Sequence, residues 1–155
     1  MIVFLDTGIL GLVCNPNQVL KATRCQTWLE QLLARGAYVV SSEICDYELR
    51  RGLILAKTTG KSSAGINKLN ALRAVVDFFP VTQEVVKEAA EIWAEARLKN
   101  QPTAEEKNID VDIIIAAHWR VLKREFPGRY IVVSTTNVKH LSLFAEAKEW
   151  QNISY

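Results

Sequence analysis

Asn108-Ile-Asp-Val-Asp-Ile-Ile-Ile-Ala-Ala-His118 sets two carboxylates, Asp110 and Asp112, directly before the apolar run Ile113 to Ala117. A polar segment, Gln101–Asn108, precedes it, and apolar residues at helical spacing follow to about Lys123. The stretch predicts a helix that enters the interior with acids at its N-terminal end. Unpaired N–H groups and the helix dipole favour negative charge there.

Outward from this stretch, strand-like and helix-like segments alternate. Ile2–Leu5 is a continuous apolar run suited to a buried parallel strand, and it ends at Asp6-Thr7-Gly8. Helical residues continue to Cys14, and Asn15-Pro16-Asn17 breaks them. Helical spacing returns from Val19 to about Ala34 and closes at Arg35-Gly36. A second strand is expected at Ala37–Val40. Ser41 or Ser42 can cap a helix reaching about Lys57, and another helix spans Ala64 to about Asp77. Phe78–Val81 reads as a third strand, with Pro80 placing it at an edge. Thr82 caps a helix to about Lys99, and a loop is expected over Asn100–Asn108. A fourth strand, Tyr130–Ser134, leads into a loop over Thr135–His140. One helical turn at Leu141–Ala145 and a last strand at Glu149–Ser154 complete the expectation.

This alternation predicts an α/β fold: one domain over residues 1–155, its parallel sheet covered by helices on both faces. In such sheets, sites form beyond the carboxyl ends of the strands. Asp6 and the Thr135–Asn137 loop both fall at such ends.

Bulk properties narrow the function classes. Hydrophobic residues make up 49% of the 155, and charged ones 23%, as in a globular chain with a real core. Net charge is +2, from 19 basic and 17 acidic residues, too balanced to indicate nucleic acid by itself. No apolar run reaches membrane-spanning length, and Ile2–Leu5 is too short for a signal segment, so a cytoplasmic protein is expected. Cys14, Cys25 and Cys45 lack CxxC spacing. Their odd number argues against a disulfide scaffold, and with only two histidines and no CxxC spacing a zinc site is not expected. All three read as small buried hydrophobes. No GxSxG, Walker A loop or GxGxxG occurs.

What remains is a set of carboxylates. Asp6 stands at a buried strand's end before a helix, where it can cap that helix, ligate a metal, or do both. On the Ser42–Lys57 helix, Glu43, Asp46 and Arg50 share a face that reads as solvated, with Asp46 and Arg50 as an i,i+4 ion pair. Glu48 lies instead on the stripe of Ile44, Gly52 and Leu55. A carboxylate there needs compensation, from a metal or from Arg51 at the rim. Asp110 and Asp112 point in different directions on a helix. The economical division makes Asp110 the cap and Asp112 the ligand, and the reverse stays open. In the last loop, Asn137 offers a carbonyl oxygen, and Thr135 or Thr136 can hold a water. Lys139 or His140 can meet phosphate, or the loop is an ordinary polar turn. Several acids around one point suit Mg²⁺ or Mn²⁺, which take oxygen ligands, lower the pKa of bound water and stabilise phosphoryl charge.

Four segments together resemble the PIN-domain family, and within it the VapC-type toxins of bacterial toxin–antitoxin pairs. They are Val3-Phe-Leu-Asp6-Thr7, Ser41-Ser-Glu-Ile-Cys-Asp-Tyr-Glu48-Leu-Arg-Arg-Gly52, Asp110-Val-Asp112-Ile-Ile-Ile-Ala-Ala117 and Val132-Val-Ser-Thr-Thr-Asn137. The resemblance covers essentially the whole chain. It implies a PIN-like three-layer α/β/α sandwich with a central parallel sheet of four to five strands. It also implies a Mg²⁺- or Mn²⁺-dependent endoribonuclease. By position, Asp6, Glu48 and Asp112 match the first three family acids, and Asp110 is an additional acid beside the third. Asn137 stands where the family often has a fourth Asp, which leaves a second metal open.

On this expectation Asp6 and Asp112 bind metal directly, with Asp110 as a further ligand candidate. Glu48 binds through water or orients the attacking water, and Asn137 holds a water or a phosphate oxygen. In-line attack leaves a 5′-phosphate and a 3′-hydroxyl. Thr7, Arg50, Arg51, Thr136, Lys139 and His140 are candidate substrate contacts, and the basic residues read equally as plain surface charge. The resemblance further implies a homodimer and a VapB-type antitoxin. Helices around Gly52–Lys57 and Ala64–Phe78 would supply a groove for an antitoxin helix. A non-catalytic PIN-like domain that binds RNA or protein is the alternative.

Overall fold

In the computed structural model, residues 1–99 and 109–155 are described, those at 109 and 110 by backbone only. The expected loop at 100–108 and the side chain of Asp110 lie outside this range. The elements are β1 (Ile2–Leu5), α1 (Thr7–Val13), α2 (Leu20–Ala34), β2 (Tyr38–Ser42), α3 (Glu43–Thr58), α4 (Ala64–Leu72) and β3 (Asp77–Phe79). They continue with α5 (Gln83–Leu98), α6 (Ile109–Glu125), β4 (Ile131–Ser134), α7 (Val138–Leu141) and β5 (Ala147–Lys148). A 3-10 turn at Trp150–Asn152 follows.

All strand pairs are parallel, in the order β3-β2-β1-β4-β5. β1 is central, and its four residues are fully buried on both faces, which is why the run lacks polar alternation. α1 packs against α2 and α3, α3 against α4, and α5 against α6, the grouping expected when the connections out to β3 and back to β4 run over opposite faces of the sheet. The core is continuous across both: Leu29 and Leu32 of α2, Leu69 of α4, Ile92 of α5, and Ile115 and Leu122 of α6 pack against the sheet.

Local chemistry explains the boundaries. Ser42 caps α3 through Ile44 N–H, and Thr82 caps α5 through Val85 N–H. Gly36, at φ +80°, ends α2: Ala37 N–H reaches Leu32 O and Gly36 N–H reaches Leu33 O, a paired closure that needs a left-handed residue.

Five expectations shift. β3 is Asp77–Phe79 rather than Phe78–Val81, so Pro80 lies just beyond the edge strand. β2 runs two residues further than expected, to Ser42, because Ser41 and Ser42 pair with Phe78 and Phe79 of the edge strand. α4 stops at Leu72, and turns over Arg73–Val76 feed β3, so the helix does not reach Asp77. The last strand is the two-residue β5, paired with β4, and Trp150–Asn152 forms the 3-10 turn instead of a strand. The helical turn after β4 is Val138–Leu141 rather than Leu141–Ala145.

Candidate active site

The carboxyl ends of β1 and β4 lie side by side, joined by Asp6 N–H donating to Ser134 O at 3.1 Å. Strand order reverses between them: successive crossovers lead away from β1 to β2 and β3, then return past it to β4. A crevice opens at such a switch point.

Asp6 is 6% exposed. Its Oδ1 accepts Ile9 N–H at 2.8 Å, so it does cap α1. Burial raises its pKa to about 6, and the charges of Asp112 and Glu48 add to this. The Thr135 hydroxyl and Ile9 N–H oppose it. Glu48, half-buried on α3, accepts the Thr7 hydroxyl at 2.6 Å. Asp112 stands in the first turn of α6. Burial is the main cause raising its carboxyl above the ordinary range; Glu48 adds to it, while His140 and Asn137 oppose. Asn137 Nδ2 donates to Asp112 Oδ2 at 3.3 Å, and its own N–H is held by Thr135 Oγ1 at 2.8 Å.

Segments far apart in sequence therefore meet around one crevice. Asp6, Thr7, Glu48, Asp112, Thr135, Asn137 and His140 are brought together. Thr136 joins them through Gly8: a Cβ at Gly8 would come within 2.8 Å of Thr136 Oγ1 and 3.4 Å of Asp6 Oδ1. Gly8 is a site residue that residue chemistry did not indicate. Its only signal was a glycine directly after Asp6-Thr7.

Other candidates lie elsewhere. Arg51 stacks over the Tyr47 ring at 5.3 Å rather than pairing with Glu48. Lys139 is exposed on α7. Arg50 is committed to structure: its Nε and Nη2 hold the two oxygens of Asp46 at 2.6 and 2.9 Å, and Nη1 holds Asn70. The face of Glu43, Asp46 and Arg50 is only partly solvated, because Asp46 at its middle is covered. Asp46 is 6% exposed, and Arg73 reaches it at 3.2 Å while also bonding Glu43. Burial works to raise Asp46, but hydrogen bonds and charge from Arg50 and Arg73 outweigh it and hold the carboxyl low. Spacing within α3 could not show this, because the cover comes from the end of α4.

The residues fit a hard divalent cation by donor type. The neighbours that set the ionisation of Asp6 are two hydrogen-bond donors and two further acids, so its charge lacks a basic partner there. Among the described residues, however, no three His, Cys, Asp or Glu side chains are grouped closely enough to hold an ion between them. The arrangement suits two direct carboxylates with waters completing the shell.

No family model matches the sequence, and no curated protein matches it. Solved structures do. A chain of VapBC2 from Rickettsia felis, bound in that structure to promoter DNA, aligns over 97% of this chain and 99% of its own, with TM-score 0.67 and 18% identity. VapBC-1 from nontypeable Haemophilus influenzae aligns over 98% and 100%, with TM-score 0.67 and 18% identity. Mycobacterium tuberculosis VapC20, a Sarcin-Ricin loop cleaving toxin, aligns over 93% and 97%, with TM-score 0.58 and 19% identity. At these identities the likeness concerns architecture: the chain has the PIN-like α/β/α fold shared by these VapBC and VapC structures.

Proposed function

We propose that the protein is a metal-dependent endoribonuclease of the VapC toxin kind. The observation that carries this reading is the meeting of Asp6, Glu48 and Asp112 with Asn137 at the β1/β4 switch point. Asp6 and Asp112 would hold Mg²⁺ or Mn²⁺, which when bound supplies an activated water and stabilises phosphoryl charge. Thr7 fixes the Glu48 carboxylate, leaving its second oxygen to orient the attacking water. Asn137 steadies Asp112 and presents a carbonyl oxygen towards a water or the substrate backbone. Thr136 and His140 line the substrate side, and Lys139 and Arg51 are further candidates for phosphate contact.

The partner expectations are part of the proposal: a VapB-type antitoxin and a homodimer. Ile54 and Leu55 on α3 and Val75 after α4 are exposed apolar residues that suit an antitoxin helix. No described helix is long and apolar enough to cross a membrane. The three cysteines are free and buried, with burial pushing each thiol up to about 12, which fits a reducing, cytoplasmic setting.

The test is cleavage of RNA by purified protein in Mg²⁺ or Mn²⁺, against EDTA, beside Asp6→Asn and Asp112→Asn. Cleavage lost in EDTA and in both variants supports the reading. Equal cleavage in all samples rejects it. Calorimetric titration that finds no metal uptake moves the protein to the non-catalytic RNA- or protein-binding alternative.

A further inference from the structure

Thr135 has no part in the function proposed above, yet its hydroxyl connects the two acids assigned to the metal. The residue directly follows β4 and is fully buried, and its N–H is held by Lys148 O of β5 at 3.0 Å. It is therefore anchored to the sheet rather than to the loop it opens. Its Oγ1 accepts the N–H of Asn137 at 2.8 Å. A hydroxyl also has one hydrogen to give. That hydrogen serves Asp6, whose carboxylate the Thr135 hydroxyl holds down against burial.

Asn137 carries the connection onward. Its backbone is fixed on both sides: its N–H lies on Thr135, and its C=O accepts His140 and Leu141 N–H at the start of α7, each at 3.3 Å. With the backbone held, Nδ2 reaches Asp112 Oδ2 at 3.3 Å. The path from Asp6 through Thr135 and Asn137 to Asp112 joins the end of β1 to the first turn of α6 by donors that carry no charge. Asp112 and Glu48 both act against ionisation of Asp6. Neutral donors between the acids offset that repulsion and orient the carboxylates before any cation arrives. An ordinary turn would account for the Asn137 bond, but not for a buried hydroxyl that also serves a carboxylate on the neighbouring strand.

We propose that Thr135 is a positioning residue: its hydroxyl couples Asp6 to Asn137, and through Asn137 to Asp112, so that the metal-free protein already holds the two carboxylates at one spacing. This rests on the reading of Asp6 and Asp112 as ligands of a divalent cation. Threonine suits the task better than serine, because its branched Cβ restricts χ1 and fixes the hydroxyl.

The test has a metal-free arm and a Mn²⁺ arm, both on the full chain. In metal-free protein, Thr135→Val should speed amide hydrogen exchange at Asn137 by about tenfold or more, while Val132 and Val133 in β4 stay protected. Thr135→Ser should stay near the parent. Mn²⁺ uptake, followed by electron paramagnetic resonance, should weaken by about 10–100-fold in Thr135→Val and far less in Thr135→Ser. Combined with Asn137→Ala, Thr135→Val should cost less than the product of the two single effects, because both cut one path. Parental Mn²⁺ affinity or parental Asn137 exchange in Thr135→Val overturns the proposal and leaves the nuclease reading standing. So do fully multiplicative losses in the double variant. A serine variant as impaired as valine assigns the loss to packing and overturns it too. A parent protein that takes up no Mn²⁺ rejects the proposal and the metal reading together.

Discussion

The Thr7 hydroxyl donates to Glu48 Oε2 at 2.6 Å, tying the turn after β1 to the second turn of α3. Glu48 is half-buried and shows no basic partner among the described residues, so this bond sets where its carboxylate points. A hydrogen bond to a charged group contributes about 1.5–3 kcal/mol, enough to hold one rotamer. On the nuclease reading, Thr7→Val lowers kcat for RNA cleavage by roughly tenfold or more with KM little changed, whereas Thr7→Ser keeps most of the rate. Steady-state kinetics on a single RNA substrate checks this. A change confined to KM would make Thr7 a substrate contact.

Gly8 is required by space rather than by backbone angle. A methyl group there would meet Thr136 Oγ1 at 2.8 Å, and threonine is stiff about χ1. Gly8→Ala should displace the Thr135–Asn137 loop and reduce cleavage by about tenfold, since small misplacements of reacting groups cost that much or more. Adding Thr136→Ala removes the obstructing oxygen and should restore part of the loss. A double variant as impaired as Gly8→Ala alone would show that the strain lies elsewhere.

Asp6 and His118 titrate in opposite senses. The pKa of Asp6 is raised from 3.8 to about 6, so its contribution to stability is full below about 3.8 and is lost as pH rises through 6. That of His118 is lowered from 6.5 to about 4, so its contribution is full above 6.5 and is lost as pH falls through 4. Each amounts to about 3 kcal/mol, and they offset one another between pH 4 and 7 in metal-free protein. In urea unfolding, Asp6→Asn should therefore lose more stability on acidification than the parent. His118→Gln should lose less, or gain. Parallel pH profiles for all three proteins would refute both assignments.

Asp46 is a buried carboxylate with two half-exposed arginines on it, so the cost of disruption depends on which side is cut. Removing both Arg50 and Arg73 by substitution to Met leaves a buried charge unpaired and should destabilise by about 3 kcal/mol. Asp46→Ala should cost less, because both guanidinium groups can turn to water. Thermal melts would separate the two by several degrees for a domain of this size. Equal losses would mean that the network acts through packing alone.

The order of elements, the parallel sheet and the capping roles of Asp6 and Thr82 were legible from the sequence, and the α3 cap was narrowed to Ser41 or Ser42. Each is a local matter: hydrophobic period, a side-chain oxygen ahead of a helix, a glycine behind one. The acids at strand ends and helix starts could also be named, because those positions carry their own polarity. The family resemblance then linked them across the chain.

The burial of Asp46 under Arg73, the approach of Thr136 to Gly8, and the Ser42–His118 pair were decided by tertiary structure alone. So were the commitment of Arg50 to Asp46 and the extension of β2 through Ser42. Periodicity reports whether a position faces inward. It carries no information on which remote side chain arrives opposite, since that depends on how separate elements dock over the sheet.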